Sequence, residues 1–296
     1  MKIVLQKKKL VLWLCAVLVI ISTGFMVLIF HVQRQNLSKT KKESLQVLAD
    51  EKASQVSMFL ESKTEVQKII ASMNVFKEAV LYPNDPAKLA IAKKRIEELK
   101  DIIPRIAIFT NDGIMFIAES GPVPIDYSAI PYFVSKDKKI MFMRYYDNYQ
   151  KRDYYSVLGP IYDGTEKNKV IGAIAFDVEL DKISALMRVT TEGKNNEVYL
   201  INEQGLLLSS SKYIGKGNKS GVLIQEIKSE GAKECLEDLE KYNKDGTIED
   251  HEEEILQYTN YMGNEVFGTH AYVPGIMGCV IAEVSTKEVL GIFDVK

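Results

Sequence analysis

The sequence predicts an α+β fold: an N-terminal transmembrane helix, a long stalk helix, and two antiparallel-sheet modules in tandem. Three observations carry that prediction. An apolar run, Leu10–Phe30, holds no charged residue. A stretch without Gly or Pro follows, from Gln33 to Leu81. The remainder echoes itself: Val170–Ile183 (VIGAIAFDVELDKI) returns 106 positions later as Ile276–Val289 (IMGCVIAEVSTKEV), with Gly172 on Gly278, Asp177 on Glu283 and Ile183 on Val289. A second echo joins Ile106–Ser120 to Val198–Ser211, with Gly113 matching Gly205. Two copies of roughly 90 to 100 residues are each about one small domain long, which points to a duplicated module.

Composition places the 296 residues among globular proteins, since 46% hydrophobic and 26% charged residues suit a packed core. A net charge of −2 leaves no electrostatic footprint for nucleic acid. Of three cysteines, Cys15 lies in the apolar run. Cys235 and Cys279 allow one bridge, but nothing in their spacing requires it, and two free thiols are expected.

Residues 1–9 read as a cytoplasmic N-terminus and residues 10–30 as a membrane helix. At 1.5 Å per residue that helix is about 31 Å long, enough for a hydrocarbon core of about 30 Å. Lys2, Lys7, Lys8 and Lys9 precede it, so the positive-inside rule puts everything after His31 outside the cytoplasm. A cleaved signal peptide is the alternative. The run is long for one, and its exit (IFHVQRQN) offers no small-x-small site.

Residues 33–81 read as one amphipathic stalk. Leu45, Leu48, Val56, Phe59, Val66, Ile70, Met73 and Val80 recur near a 3.6-residue period, with Lys52, Lys63 and Lys77 in the gaps. A homodimer contact is expected along its lower half, which has no domain beside it in sequence order. Asp85 then caps a helix with Pro86 at its first position, running to about Lys100.

The first module, residues 82–190, opens with a hairpin, Arg105–Thr110 and Gly113–Ser120, turned by Asn-Asp-Gly. Tyr154–Ile161 and Val170–Glu179 close its sheet. In the second of these, Ala173, Ala175 and Asp177 face one way, and Ile174, Phe176 and Val178 the other. The bulky face suits packing on the stalk helix. The small face, with its carboxylate, suits a cavity.

The second module, residues 191–296, repeats the plan. Val198–Ser211 reads as a hairpin and Ile224–Tyr242 as a helix with Cys235 inward. Ile255–Asn260, Glu265–Tyr272 and Cys279–Ser285 read as strands, and Thr286–Phe293 begins another helix. The acidic run Glu249–Glu254 lacks calcium-loop spacing and reads as a solvated loop, so no metal is expected.

The order "Asp-Tyr-Ser … Pro-Tyr-Phe", "Tyr-Ser-Val-Leu-Gly-Pro-Ile-Tyr-Asp", "Val-Ile-Gly-Ala-Ile-Ala-Phe-Asp-Val-Glu-Leu" resembles the ligand-binding half of a double Cache domain. Glu-Val-Tyr-Leu-Ile-Asn-Glu-Gln-Gly in the second module resembles it as well, and the likeness covers about residues 34–296. It implies tandem PAS-like modules outside a bacterial inner membrane, feeding a histidine kinase, diguanylate cyclase or chemoreceptor output that this chain does not contain. It also implies that Asp177 holds a ligand ammonium, where the bland alternative is a cap on the following helix. The amino-acid-binding branch carries an Arg shortly before an aromatic pair. Here Ser128, Ala129, Ile130 and Pro131 precede Tyr132-Phe133, so that carboxylate clamp is missing. Arg144 or Arg152 is the substitute at hand. Tyr132, Tyr146, Tyr154 and Tyr155 suit an apolar amine or quaternary ammonium better than a standard α-amino acid.

The expected function is therefore a membrane-anchored extracytoplasmic sensor of a small, amine-containing molecule, without a cofactor. A tethered binding or scaffold protein is the alternative. Enzyme activity is not expected, because the three histidines are scattered and no nucleophile elbow, zinc motif or phosphate loop occurs.

Overall fold

A computed structural model describes residues 2–119, 123–147, 152–164, 166, 169–188, 196–211, 213–214, 221–245 and 255–289. Within these, the side chains of most residues before Lys39, of 146–147, of 152–153 and of 242–245 are not described. Helices and strands follow in the order α1 (Lys2–Ser72), α2 (Asn74–Leu81), α3 (Pro86–Leu99), β1 (Ala107–Thr110), β2 (Ile114–Ala118) and β3 (Ile125–Asp126). Next come α4 (Pro131–Val134), β4 (Met141–Asp147), β5 (Arg152–Tyr162), β6 (Val170–Asp177), α5 (Leu180–Met187) and β7 (Glu197–Ile201). The chain continues through α6 (Glu230–Asp245), β8 (Leu256–Thr259), β9 (Glu265–Val273), β10 (Gly278–Ser285) and α7 (Thr286–Val289).

The strands form two antiparallel sheets, ordered β3-β2-β1-β6-β5-β4 and β7-β10-β9-β8. This is an α+β architecture. The two echoes occupy matching places, since β6 and β10 are each flanked by the first strand of their own half. Opposite pleats pack on opposite layers. Ile174 and Phe176 face α2, α3 and the end of α1, with Ile70, Phe76 and Val80. Val280 and Ala282, 106 positions on, face the middle of α1 with Leu45, Ala49, Ala53, Val56 and Leu60. On the other side of the second sheet, Ile201 and Ile281 pack on α6.

The stalk departs from expectation twice. Its lower half is covered: the buried line Leu45–Leu60 lies against the second sheet, so α1 serves both halves. The stripe also breaks at Met73, whose ψ of 126° re-aims the chain so that α2 crosses β1 and β6. No Gly or Pro marks the break, and tertiary packing overrides helix propensity there. Lys52 and Lys63, two of the stripe's interruptions, point inward. Lys52 donates to the Leu186 carbonyl (2.6 Å) near the end of α5, and Lys63 pairs with Glu179 at its start.

Asp85 caps α3 as expected, accepting from the N–H groups of Ala87 (2.9 Å) and Lys88 (3.3 Å). The second hairpin forms only its first arm as a strand. Leu206 and Leu207 make isolated bridges, and Ser209 Oγ accepts the Leu200 N–H. The helix expected from Ile224 starts only at Glu230. Leu207 N–H donates to the Gln225 carbonyl and Ile227 N–H to the Gly205 carbonyl, which holds that segment in an extended pairing. Cys235 and Cys279 are disulfide-bonded, not free. Their Cα atoms sit 6.4 Å apart because α6 lies on β10, a proximity the spacing of two isolated cysteines does not encode.

No helix among the described residues is long and apolar enough to cross a membrane. The side chains of Leu10–Phe30, apart from Phe25, lie outside those residues, as do Glu249–Glu254 and residues 290–296.

Candidate functional site

The register that pairs Ala107 with Ala175 and Ile108 with Ile174 brings Arg105 opposite Asp177, two residues further along each strand. Backbone pairing continues to that point, since Asp177 N–H donates to the Pro104 carbonyl at 3.0 Å. The Arg105 Nε atom lies 3.0 Å from Asp177 Oδ2. Both atoms are buried and off-line for a hydrogen bond, so this contact is an ion pair by distance.

The same guanidinium donates to Tyr154 Oη (2.8 Å) and reaches Tyr145 Oη (3.4 Å). It also lies 3.9 Å from the Tyr154 ring centre, a cation–π contact. Asp177 Oδ1 accepts from Ser156 Oγ (2.6 Å) and Tyr145 Oη (3.3 Å). Arg105 adopts φ +55°, in the left-handed region, and its N–H donates to Glu119 at 2.8 Å. A non-glycine residue there carries a conformational cost, and such residues cluster at ligand clamps.

Asp177 is 6% exposed and the Arg105 side chain 19%, so the pair sits just under the surface. Low dielectric strengthens such a charge-assisted cluster, and losing either partner would remove the opposite charge 3.0 Å from the other.

Beyond the pair, the face carrying Ala173 and Ala175 is packed. Phe109, Met115, Tyr132 and Leu158 join the two alanines in one buried cluster. Tyr132 comes from α4 and is 3% exposed. Its hydroxyl is buried without a hydrogen-bond partner, and burial pushes its pKa far up.

The sequence-chosen residues therefore divide. Asp177 and Tyr154 meet in one cluster, with Tyr132 on the same sheet face. Tyr155 points to the opposite face, stacking on Phe142 in the cluster built on α1. Arg144 pairs across from Tyr155 and is exposed, so it stands away from Asp177. The side chains of Tyr146 and Arg152 lie outside the described residues; β4 directs Tyr145, its neighbour, to Asp177. Asp177 does not cap α5. Sequence reasoning missed Arg105, Tyr145 and Ser156. The guanidinium beside Asp177 comes from Arg105, just before β1, and not from the segment before Tyr132.

In the second sheet the corresponding place is self-filled. Glu283 pairs across from Glu197. Glu283 accepts from Tyr199 (2.8 Å), Tyr258 (2.9 Å) and Asn260 (2.8 Å), while Glu197 accepts from Tyr261. Burial raises the Glu283 pKa, with Glu197 adding to it.

The comparisons with known proteins agree with this architecture. No curated protein matches the chain. The sensor domain of the Vibrio cholerae histidine kinase DctB superposes with a TM-score of 0.60 at 10% identity, covering 86% of this chain and 99% of that one. The ligand-binding domain of the Pseudomonas aeruginosa amino acid chemoreceptor PctC, in complex with GABA, gives 0.54 at 14% identity, covering 83% and 100%. That of the Pseudomonas fluorescens chemoreceptor CtaA, in complex with L-leucine, gives 0.53 at 13% identity, covering 88% and 99%. These likenesses share the fold. The family model described as Cache domain (dCache_1) matches residues 33–291, and the chain belongs to that family.

Proposed function

We propose that this chain is a membrane-anchored extracytoplasmic sensor whose first module binds a zwitterionic small molecule between Arg105 and Asp177. The observation that carries the reading is the buried Arg105–Asp177 pair inside a Cache domain. A ligand bearing one cationic donor and one anionic acceptor exchanges partners with both groups and orphans neither. A simple amine would match Asp177 but supply no anion to take its place beside the guanidinium. Tyr145, Tyr154 and Ser156 supply the remaining hydrogen bonds, and Tyr132, further along the same sheet face, adds an apolar ring whose hydroxyl has no partner. The solved relatives bound to GABA and L-leucine are compatible with that chemistry.

The two sheets act as tandem PAS-like modules, the first for ligand and the second for transmission. Support comes from the contrast between a mixed-charge pair in one and a self-satisfied carboxylate pair in the other. The anchor rests on the uncharged Leu10–Phe30 and the lysines before it. The Cys235–Cys279 bridge suits an oxidising, extracytoplasmic compartment. Ligand exchange at Asp177 would bear directly on α5, three residues on, which Lys52 and Lys63 hold to α1.

The test is a thermal-shift panel of amino acids, GABA, simple amines and organic acids on the full chain in detergent. A zwitterion is expected to raise the melting temperature, as any ligand specific to the folded state must. Both Asp177→Asn and Arg105→Gln should abolish that shift. An amine or acid acting alone, or a shift that survives both substitutions, refutes the reading.

A further inference from the structure

A second cavity, remote from Asp177, has its own chemistry. About 750 Å³ in volume, it lies where the end of α1 and α2 meet the outer edge of the first sheet. Pro160 and Tyr162 of β5 form one wall, and the segment after α4 forms another. Five of its lining residues are cationic, Lys68, Lys77, Lys136, Lys138 and Lys139, against one carboxylate, Asp137.

Part of that charge is already matched. Lys139 pairs with Asp137 (2.7 Å) and Lys68 with Glu65 (2.6 Å). Lys138 donates to the Tyr132 and Phe133 carbonyls, at 2.8 and 2.7 Å. Lys77 and Lys136 have no ion-pair partner among the described residues.

At the base of the cavity sits Gln67, only 1% exposed. Its Nε2 is buried and has no hydrogen-bond partner. Gly159 makes room for it, since a Cβ at that position would come within 2.3 Å of this nitrogen. A buried amide donor left without an acceptor is costly, and folded proteins rarely keep one. A half-turn of the amide would present this donor to the cavity, whose uncompensated charge is positive.

We infer that this groove is a second binding site, independent of the Arg105–Asp177 pair, for a multiply charged oxyanion such as a phosphate or an oligocarboxylate. With the amide turned outward, one oxygen would accept from Gln67 Nε2, while Lys77 and Lys136 close on the outer oxygens. Lysine serves such a ligand as a mobile point charge, in keeping with two side chains on separate elements that are not yet committed.

Calorimetric titration of the full chain in detergent tests this, with inorganic phosphate, pyrophosphate and a tricarboxylate as probes at matched ionic strength. Saturable binding of at least one probe is expected. Gln67→Met, which keeps the volume and removes the donor, should weaken it about tenfold or more, as should Lys77→Gln with Lys136→Gln. Asp177→Asn should leave it unchanged, which separates this site from the ligand site above. Phosphates alone, or the tricarboxylate alone, would identify the source of the oxyanion. Lys77→Gln with Lys136→Gln alters only solvent-reaching side chains, so it remains informative if Gln67→Met fails to fold. No saturable binding, or binding indifferent to the lysine pair, would overturn the inference. So would a Gln67→Met variant with unchanged affinity, because water would then be the acceptor.

Discussion

Arg105 and Asp177 hold each other in a place where either charge alone would be expensive. Asp177→Ala should cost about 3 kcal/mol of stability by taking the opposite charge away from the guanidinium. Arg105→Ala should do the same to the carboxylate, and the double substitution should cost less than the sum. Chemical denaturation of the three variants measures that coupling.

His270 offers a separate test. It is 3% exposed on β9, with Tyr272 Oη 3.1 Å from its Nε2 and Glu234 4.0 Å from its Nδ1. Burial lowers its pKa to about 4, opposed only in part by Asp238. The unfolded chain binds this proton near pH 6.5 and the folded one only near 4. Stability from this group is thus complete above the unfolded value and lost as pH falls towards 4, up to about 3 kcal/mol. Glu283 works in the opposite sense. Its raised pKa means that its contribution is present at low pH and lost as pH rises through the folded value. Melting temperatures of wild type and His270→Gln between pH 4 and 7 separate the two. The difference should be largest at the acid end, and a constant gap would refute the assignment.

The strands β6 and β10 show what the sequence made legible and what it did not. Their shared glycine answers to one contact in both halves. A Cβ on Gly172 would lie 2.6 Å from the Phe109 carbonyl oxygen, and one on Gly278 would lie 2.5 Å from that of Ile201. Phe109 and Ile201 are themselves 92 positions apart, the offset of the hairpin echo. Gly172→Ala and Gly278→Ala should each cost about 1–3 kcal/mol, because the colliding atom is backbone and cannot step aside. Gly275→Ala, with open space around it, should be near neutral. Urea titration of the three variants decides it.

The two offsets also hid the partner of Asp177. Position 105 maps to 197 by the hairpin echo and 177 maps to 283 by the strand echo, and both pairs face each other across their sheets. Alternation along one strand shows which residues share a face, and it identified Asp177 and the alanines. It carries no information about the register of the neighbouring strand, so Arg105, one residue before the echo begins, went unread. Tyr145 and Tyr154 sit in runs of adjacent aromatics, where only the pleat decides which ring points inward. The disulfide failed to show for the same reason of non-locality. Its loss in Cys235→Ser should cost about 2–4 kcal/mol, given a separation of 44 residues, and a reducing agent should reproduce that cost.

Over the whole molecule, α1 is the element that both sheets share, and one of its faces is still unused. The inward face is consumed by Leu45, Ala49, Ala53, Val56 and Leu60 against the second sheet, then by Ile70 and Ala71 against the first layer. Val47, Met58 and Ile69 are 65%, 59% and 59% exposed, and each is 11 residues from the next. Eleven residues make slightly more than three full turns, so the three lie nearly on one line along the helix. A single exposed apolar residue is unremarkable, but a spaced line on a long helix offers a seam for a second copy. The homodimer reading therefore moves to this outer face from the inward stripe that the second sheet covers. Cysteine introduced at Met58 should crosslink two copies of the chain at high yield. Met58→Lys should lower the dimer fraction in sedimentation without lowering the melting temperature of the monomer, because the side chain stays in solvent. If the cysteine fails to crosslink and the lysine leaves sedimentation unchanged, α1 acts within one chain only. In the proposed sensor, motion of α5 would then travel along a single helix, not across a pair.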